Sequence, residues 1–167
     1  MKENYKTSNY PGGKTKIETY KENDTFITKL YHNSRSGFVK EFTSEKDGVK
    51  EIKHFNEQGV LSKLEYFKDD KRDGVETKYL VSKPNKSVKS TKTYSDGKLH
   101  GEAITYNDNG EIIKQEVFVL GKVALKYLRE DENSSEITKI EILDEENLLK
   151  LPQEEQDLIA KNSASIK

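Results

Sequence analysis

Between residues 14 and 128 the chain alternates apolar and polar positions with a period close to two. Lys16-Ile17-Glu18-Thr19-Tyr20, Val49-Lys50-Glu51-Ile52-Lys53-His54-Phe55 and Glu111-Ile112-Ile113-Lys114-Gln115-Glu116-Val117-Phe118 are rich in β-branched and aromatic residues, as half-buried strands require. Gly12-Gly13, Asp47-Gly48, Gln58-Gly59, Asp73-Gly74, Asp96-Gly97 and Asn109-Gly110 fall between such runs. Asp-Gly and Asn-Gly pairs tolerate the positive φ that two-residue hairpin turns need. The pattern predicts strand, tight turn, strand, so that each unit is a β-hairpin.

The hairpins repeat. Phe55-Asn56-Glu57-Gln58-Gly59 matches Tyr106-Asn107-Asp108-Asn109-Gly110 in type, and Leu61, Lys63, Glu65 and Phe67 match Ile112, Lys114, Glu116 and Phe118. An overlapping phrase runs from Phe67 to Gly74 and again from Tyr94 to Gly101, each followed five residues on by a tyrosine, Tyr79 and Tyr106. Gly37 and Phe42 have the same spacing, and Leu30 stands where Tyr94 heads its phrase. Such self-similarity marks a repeat architecture, whose units are too small to bury an apolar face alone. Rings recurring once per hairpin are expected to stack into a ladder on one face and fix the register.

Two places depart from the repeat. Residues 80–92 replace the expected turn, with Pro84-Asn85 the expected turning point; Lys83, Lys86, Lys89 and Lys92 recur there every third residue and so spread over both faces of a strand. After Tyr127 the phrase fails, and Leu125 stands where a glycine is expected. Residues 130–136 read as a polar linker or exposed turn, Ile137–Ile142 as one more strand, and Asp144 as the cap of a short helix through Leu149. Pro152 followed by Gln153-Glu154-Glu155 opens a helix to about Lys161, with acids at its positive end. Leu148, Leu149, Leu151, Leu158 and Ile159 form its expected apolar contact set. The expected organisation is a hairpin array over residues 1–129 and an acidic C-terminal segment over 130–167, whose helix caps the open sheet.

Charged residues make up 35% of the 167, which favours a thin sheet with wet faces over a globule with a deep core. The net charge of −1 hides an asymmetry: residues 1–100 hold 21 basic against 15 acidic side chains, residues 101–167 hold 8 against 15. Two oppositely charged halves suit a charged partner or each other. There is no cysteine, which excludes disulfides, thiolate metal sites and thiol nucleophiles. No signal peptide is visible in Met1-Lys2-Glu3-Asn4-Tyr5-Lys6, and no stretch approaches the ~20 apolar residues of a membrane span. A soluble, cytoplasmic protein is expected.

Tyr94-Ser95-Asp96-Gly97-Lys98-Leu99-His100-Gly101-Glu102, continued through Tyr106-Asn107-Asp108-Asn109-Gly110, resembles the bacterial variant of the MORN repeat: an aromatic, then Gly-Lys, a further glycine, a tyrosine and a second glycine-marked turn. Residues 94–122 fit closely, residues 54–79 fit with Asp70 in place of Gly97, and residues 30–42 fit only at Gly37 and Phe42. The resemblance implies an all-β repeat, a single-layer twisted antiparallel sheet of stacked β-hairpins with a short C-terminal α-helical cap. It also implies a role as an antitoxin or immunity component that binds and neutralises a protein partner, a cognate toxin or effector; other members are scaffolds or have been linked to acidic phospholipids. The motif builds the hairpin, so it speaks for fold more than for function.

Catalytic chemistry is not expected. His32, His54 and His100 lie in different repeats with no metal-site spacing, and no nucleophile elbow or phosphate-cradling loop is present. No metal or cofactor is implied. Glu51 and Glu65 are a carboxylate pair that could face each other, though glutamates on a wet strand need no catalytic explanation. The expected partner-binding residues are Tyr79, Lys83, Lys86, Lys89, Lys92, Tyr94 and Tyr106. Nucleic acid is disfavoured by the overall acidity and by Glu65, Asp69, Asp70, Asp73 and Glu76 upstream of the lysines. Two alternatives are a scaffold or peripheral adaptor whose lysines at 78–92 touch anionic lipid, and an effector that inhibits a host protein. An uncapped N-terminal edge at residues 14–20 would allow a homodimer.

Overall fold

The computed structural model describes residues 2–82, 87–129, 137–142 and 145–164. The strands are β1 (Glu3–Asn9), β2 (Thr15–Glu22), β3 (Thr25–Tyr31), β4 (Val39–Lys46), β5 (Val49–Phe55), β6 (Leu61–Lys68), β7 (Lys71–Arg72), β8 (Gly74–Tyr79), β9 (Val88–Ser95), β10 (Lys98–Tyr106), β11 (Ile112–Val119), β12 (Lys122–Arg129) and β13 (Ile137–Ile142), followed by helices α1 (Glu145–Leu149) and α2 (Gln153–Ala164). They make one open antiparallel sheet in which chain order is spatial order, with the two-residue β7 paired to β6 beside β8. This is the expected single layer of stacked hairpins with a helical cap. A compact 19.2-kDa protein exposes about 8,400 Å²; this chain exposes 10983 Å², the excess of a slab whose two faces both meet water.

The tight turns line one rim. Asn23-Asp24, Asp47-Gly48, Asp69-Asp70, Asp96-Gly97 and Leu120-Gly121 all have positive φ at both central residues, the mirror-image turn whose twist matches its strands. Asp70 takes φ 60° where the repeat has Gly97 at 83°, so an acid replaces glycine without altering the turn. Neighbouring turns are tied together: the Asp69, Gly97 and Gly121 amides donate to the carbonyls of Gly48, Arg72 and Leu99 at 3.0, 2.8 and 2.8 Å. On the other rim the turns are longer. Asn56 Oδ1 accepts from the Gln58 and Val60 amides, and Asn107 Oδ1 from the Asn109 and Glu111 amides, at 2.9–3.0 Å. Register shifts recur at this rim, pairing Tyr31 with Val39, Phe55 with Leu61, Tyr79 with Val88 and Tyr106 with Ile112.

Cross-strand pairing divides the side chains into two faces. The front holds Glu18, Lys29, Phe42, Lys53, Leu64, Thr77, Thr91, Ile104, Gln115 and Tyr127 as one continuous row of directly opposed residues. The back holds Glu41, His54, Lys63, Lys78 and Ser90 as its counterpart. The single ring ladder expected from sequence is corrected. Phe67, Tyr94 and Phe118 lie on the back beside the tight turns, where Gly74 faces Tyr94 and Gly101 faces Phe118. Tyr79 and Tyr106 end their strands at the opposite rim, and their structural equivalents are Tyr31 and Phe55 rather than Phe42. Phe42 sits inside β4 opposite Lys53, because Gly37 belongs to the loop before β4, whereas Gly74 and Gly101 sit within the ladder.

Among the described residues the buried apolar cluster lies at the C-terminal end, while Tyr20, Ile27 and Ala103 are buried elsewhere in the sheet. Val117, Val119, Ala124, Leu125 and Ile159 are at most 4% exposed, with Tyr127, Leu148 and Leu151 against them. The glycine expected at 125 is a leucine because α2 lies over that position and needs an apolar seat. Leu149, expected in this contact set, is instead 72% exposed. β13 joins the sheet along β12. The N-terminal edge is β1 rather than residues 14–20: every β1 side chain is exposed, so the strand has no apolar alternation to betray it. Pro84-Asn85, the 130–136 linker and the Asp144 cap lie outside the described residues.

Candidate functional site

The back face is crossed by a ribbon of charge running from β4 to β9. Glu65 on β6 and Glu76 on β8 are only 6% and 5% exposed, so each needs cationic partners to offset lost hydration. His54 Nε2 lies 2.8 Å from Glu65, with its Nδ1 3.5 Å from Glu41. Lys63 reaches Glu65 at 2.8 Å and Glu76 at 3.4 Å. Arg72 reaches the same two carboxylates at 3.0 and 3.6 Å, donates to the Tyr94 hydroxyl at 3.2 Å, and sits 5.2 Å from the Tyr94 ring centroid. Lys63 and Lys78 stand directly opposite each other, a like-charge pairing that costs stability, but Glu76 is within 3.4 and 3.9 Å of the two. At Oε1 of Glu65 attraction works without an aligned hydrogen bond. Burial pushes the Glu65 carboxyl up, and Lys63, His54 and Arg72 outweigh it, holding the group below its ordinary range.

On the front, acids are held by tyrosines. Glu18 accepts from Tyr5 at 3.1 Å and from Tyr31 at 2.9 Å. Burial, then the bond to Glu18, pushes the Tyr31 hydroxyl up to about 12. Glu51 accepts from Tyr66 at 3.2 Å and pairs with Lys53, and Glu102 accepts from Gln115 at 2.8 Å. Glu51 and Glu65, the carboxylate pair considered from sequence, do not face each other: Glu51 opposes Tyr66 on the front and Glu65 opposes Ile52 on the back.

The residues expected to bind a partner are not gathered in one place. Tyr94 and Lys92 lie on the back, Lys92 opposite the buried Glu76. Lys89, three residues from Lys92 in the same strand, is the unpaired residue at the register shift between Ser90 and Val88. Tyr79 and Tyr106 end their strands at the rim of longer turns, and Tyr106 lines a shallow cleft of about 380 Å³ with Leu80, Val88 and Asn107. Lys83 and Lys86 lie outside the described residues. The ribbon itself was missed from sequence. Its signal was there in Lys63 and Glu65 repeating as Lys114 and Glu116, with Lys114 and Glu116 also 2.8 Å apart on the back.

Among the described residues no group of three or more His, Cys, Asp or Glu side chains could hold a metal ion, and no helix is long and apolar enough to cross a membrane. No family profile matches the chain, and no curated protein matches it. Among solved structures it is similar to parts of larger chains: the crystal structure of TarM (13% identity, 74% of this chain and 21% of that one, TM-score 0.35), a point mutant of S. aureus TarM in complex with fondaparinux, alpha-GlcNAc-glycerol and UDP (12%, 75% and 20%, 0.30), and the GtfA/B complex (15%, 80% and 20%, 0.23). The chain spans about a fifth of the length of each.

Proposed function

We propose that this chain is a non-enzymatic, cytoplasmic protein-binding array of the MORN-repeat kind. In this reading it is a bacterial antitoxin or immunity protein that neutralises its partner by laying a sheet face over it. The observation that supports the reading is the restriction of helical cover to one end. α2 seats on β11 and β12, while β2 to β10 present two broad faces of half-exposed side chains. Sheets ordinarily bury a face against a second layer, and extended repeat surfaces serve as binding platforms.

The test is affinity capture from the encoding organism, followed by reconstitution with the purified captured protein. A stoichiometric complex that abolishes the partner's toxic activity is expected. Recovery of no protein, or sedimentation only with anionic vesicles, overturns the reading.

A further inference from the structure

We infer that the front face between β3 and β10 is the docking surface, and that its occupant is an acidic amphipathic helix of the partner. This rests on the protein-binding reading above and narrows it to one face and one chemistry.

The two faces differ in what they have left to offer. On the back, the carboxylates of Glu65 and Glu76 consume Lys63, Arg72, Lys78 and His54, so the charges of that ribbon are matched within the fold. On the front the imbalance runs the other way. Glu18, Glu51 and Glu102 are engaged by Tyr5, Tyr31, Tyr66, Lys53 and Gln115. Lys29, Lys46, Lys68 and Lys98 occupy front positions by register and, among the described residues, none has a carboxylate within 4 Å; Lys29 lies 5.6 Å from the Tyr20 ring centroid, and Lys46 and Lys98 act on Asp24 and Asp96 only from farther away. Apolar side chains lie between these cations: Phe42 beside Lys29, and Val49, 51% exposed, between Lys46 and Lys68. A surface of lysines without a close ion pair, set around apolar and aromatic side chains, is complementary to a helix with one apolar and one acidic face.

The fold already seats the apolar side of one helix on this face. α2 has Glu154 and Glu155 in its first turn and places Ile159 against Val117, Val119 and Leu125, where Val117 and Leu125 oppose each other on the front. The front row runs on without a break from this seat through Gln115 and Ile104 to Thr91, Thr77, Leu64 and Lys53, so the open surface continues an interface that the chain itself uses for a helix. From β3 to β10 is six strand spacings, about 29 Å at ~4.8 Å each, the length of a helix of about 20 residues.

The experiment uses the full chain and a fluorescent synthetic peptide of about 20 residues, with leucines on one helical face and glutamates on the other, matched to the span just given. Anisotropy is compared with that of a scrambled peptide of identical composition, and with single-stranded DNA and anionic vesicles as competitors. Saturable binding of the patterned peptide is expected, weakened about tenfold or more by Lys29→Glu with Lys68→Glu and unchanged by the equal charge reversal Lys21→Glu with Lys92→Glu on the back. Circular dichroism establishes that both variants stay folded. Absence of saturable binding below about 1 mM, equal binding of the scrambled peptide, equal weakening by the back variant, or displacement by DNA or vesicles in preference to peptide overturns the proposal. If a native partner is captured and the front variant still holds it, the face assignment fails while the protein-binding reading stands.

Discussion

Arg72 spans the gap between two buried carboxylates: its Nη2 lies 3.0 Å from Glu65 Oε1, and its Nη1 3.6 Å from Glu76 Oε2. Removing either end leaves the other short of a partner. Glu65→Ala is expected to cost about 2–3 kcal/mol, because Lys63 and His54 then lose their anion in a dry setting. Arg72→Ala is expected to cost less, about 1 kcal/mol, since 40% of its side chain is exposed and water screens part of the pairing. A double-mutant cycle by urea denaturation should return a positive coupling; strict additivity would show that the ribbon is decorative.

The same carboxyl sets an acid limit. Glu65 is held below its ordinary pKa in the folded chain, so the folded state binds its proton more weakly than the unfolded state does. Its stabilising contribution is therefore present above the unfolded value of about 4.3 and is lost as pH falls through the lower folded value. Unfolding free energy should decline more steeply below about pH 4 in the parent chain than in Glu65→Gln; parallel curves would refute the assignment.

Tyr31 behaves in the opposite sense. With its hydroxyl pushed up to about 12, the contribution of the neutral phenol is fully present below about pH 10 and is lost as pH rises through about 12. Titration by tyrosinate absorbance should show a late phase that disappears in Tyr31→Phe and moves to lower pH in Glu18→Gln. Persistence of that phase in Tyr31→Phe would assign it elsewhere.

Leu120 occupies the first central position of a tight turn, at φ 48°, where the four sister turns have Asn23, Asp47, Asp69 and Asp96. The left-handed conformation costs an ordinary residue about 1–2 kcal/mol, and asparagine tolerates it better. Leu120→Asn is expected to raise the thermal midpoint, with a gain of about 0.5–1 kcal/mol. A neutral or lowered midpoint would mean that the exposed leucine contributes packing the turn comparison does not reveal.

Gly101 has φ 106°, and a Cβ there would stand 3.2 Å from the Thr93 Cβ. Gly101→Ala combines backbone strain with that close approach to a short side chain and should cost about 2 kcal/mol or more. Gly110 has open space around it, so Gly110→Ala should cost less. Chemical denaturation of the two variants orders them, and the reverse order would contradict the geometry.

What sequence disclosed followed from local chemistry. Asp47-Gly48 and Asp96-Gly97 announce their turns, and the phrases headed by Phe67, Tyr94 and Phe118 align as the strands do. Three features depended on information that no short window contains. β1 is polar throughout, so alternation gives no sign of it. Gly37 mimics the spacing of Gly74 and Gly101, because positive φ serves a loop as well as a bulge. The Glu65–Arg72–Glu76 ribbon requires knowing which of two faces each charge takes, and a shift of one residue in register would scatter it.

Since each strand pairs with the strands beside it in the chain, hairpins can close as soon as both arms exist. The ribbon can therefore grow from its first turns while later ones are still being synthesised. The seating of α2 must wait until its own residues exist, which makes the arrival of Ile159 on Leu125 a late event that covers the apolar end of the sheet.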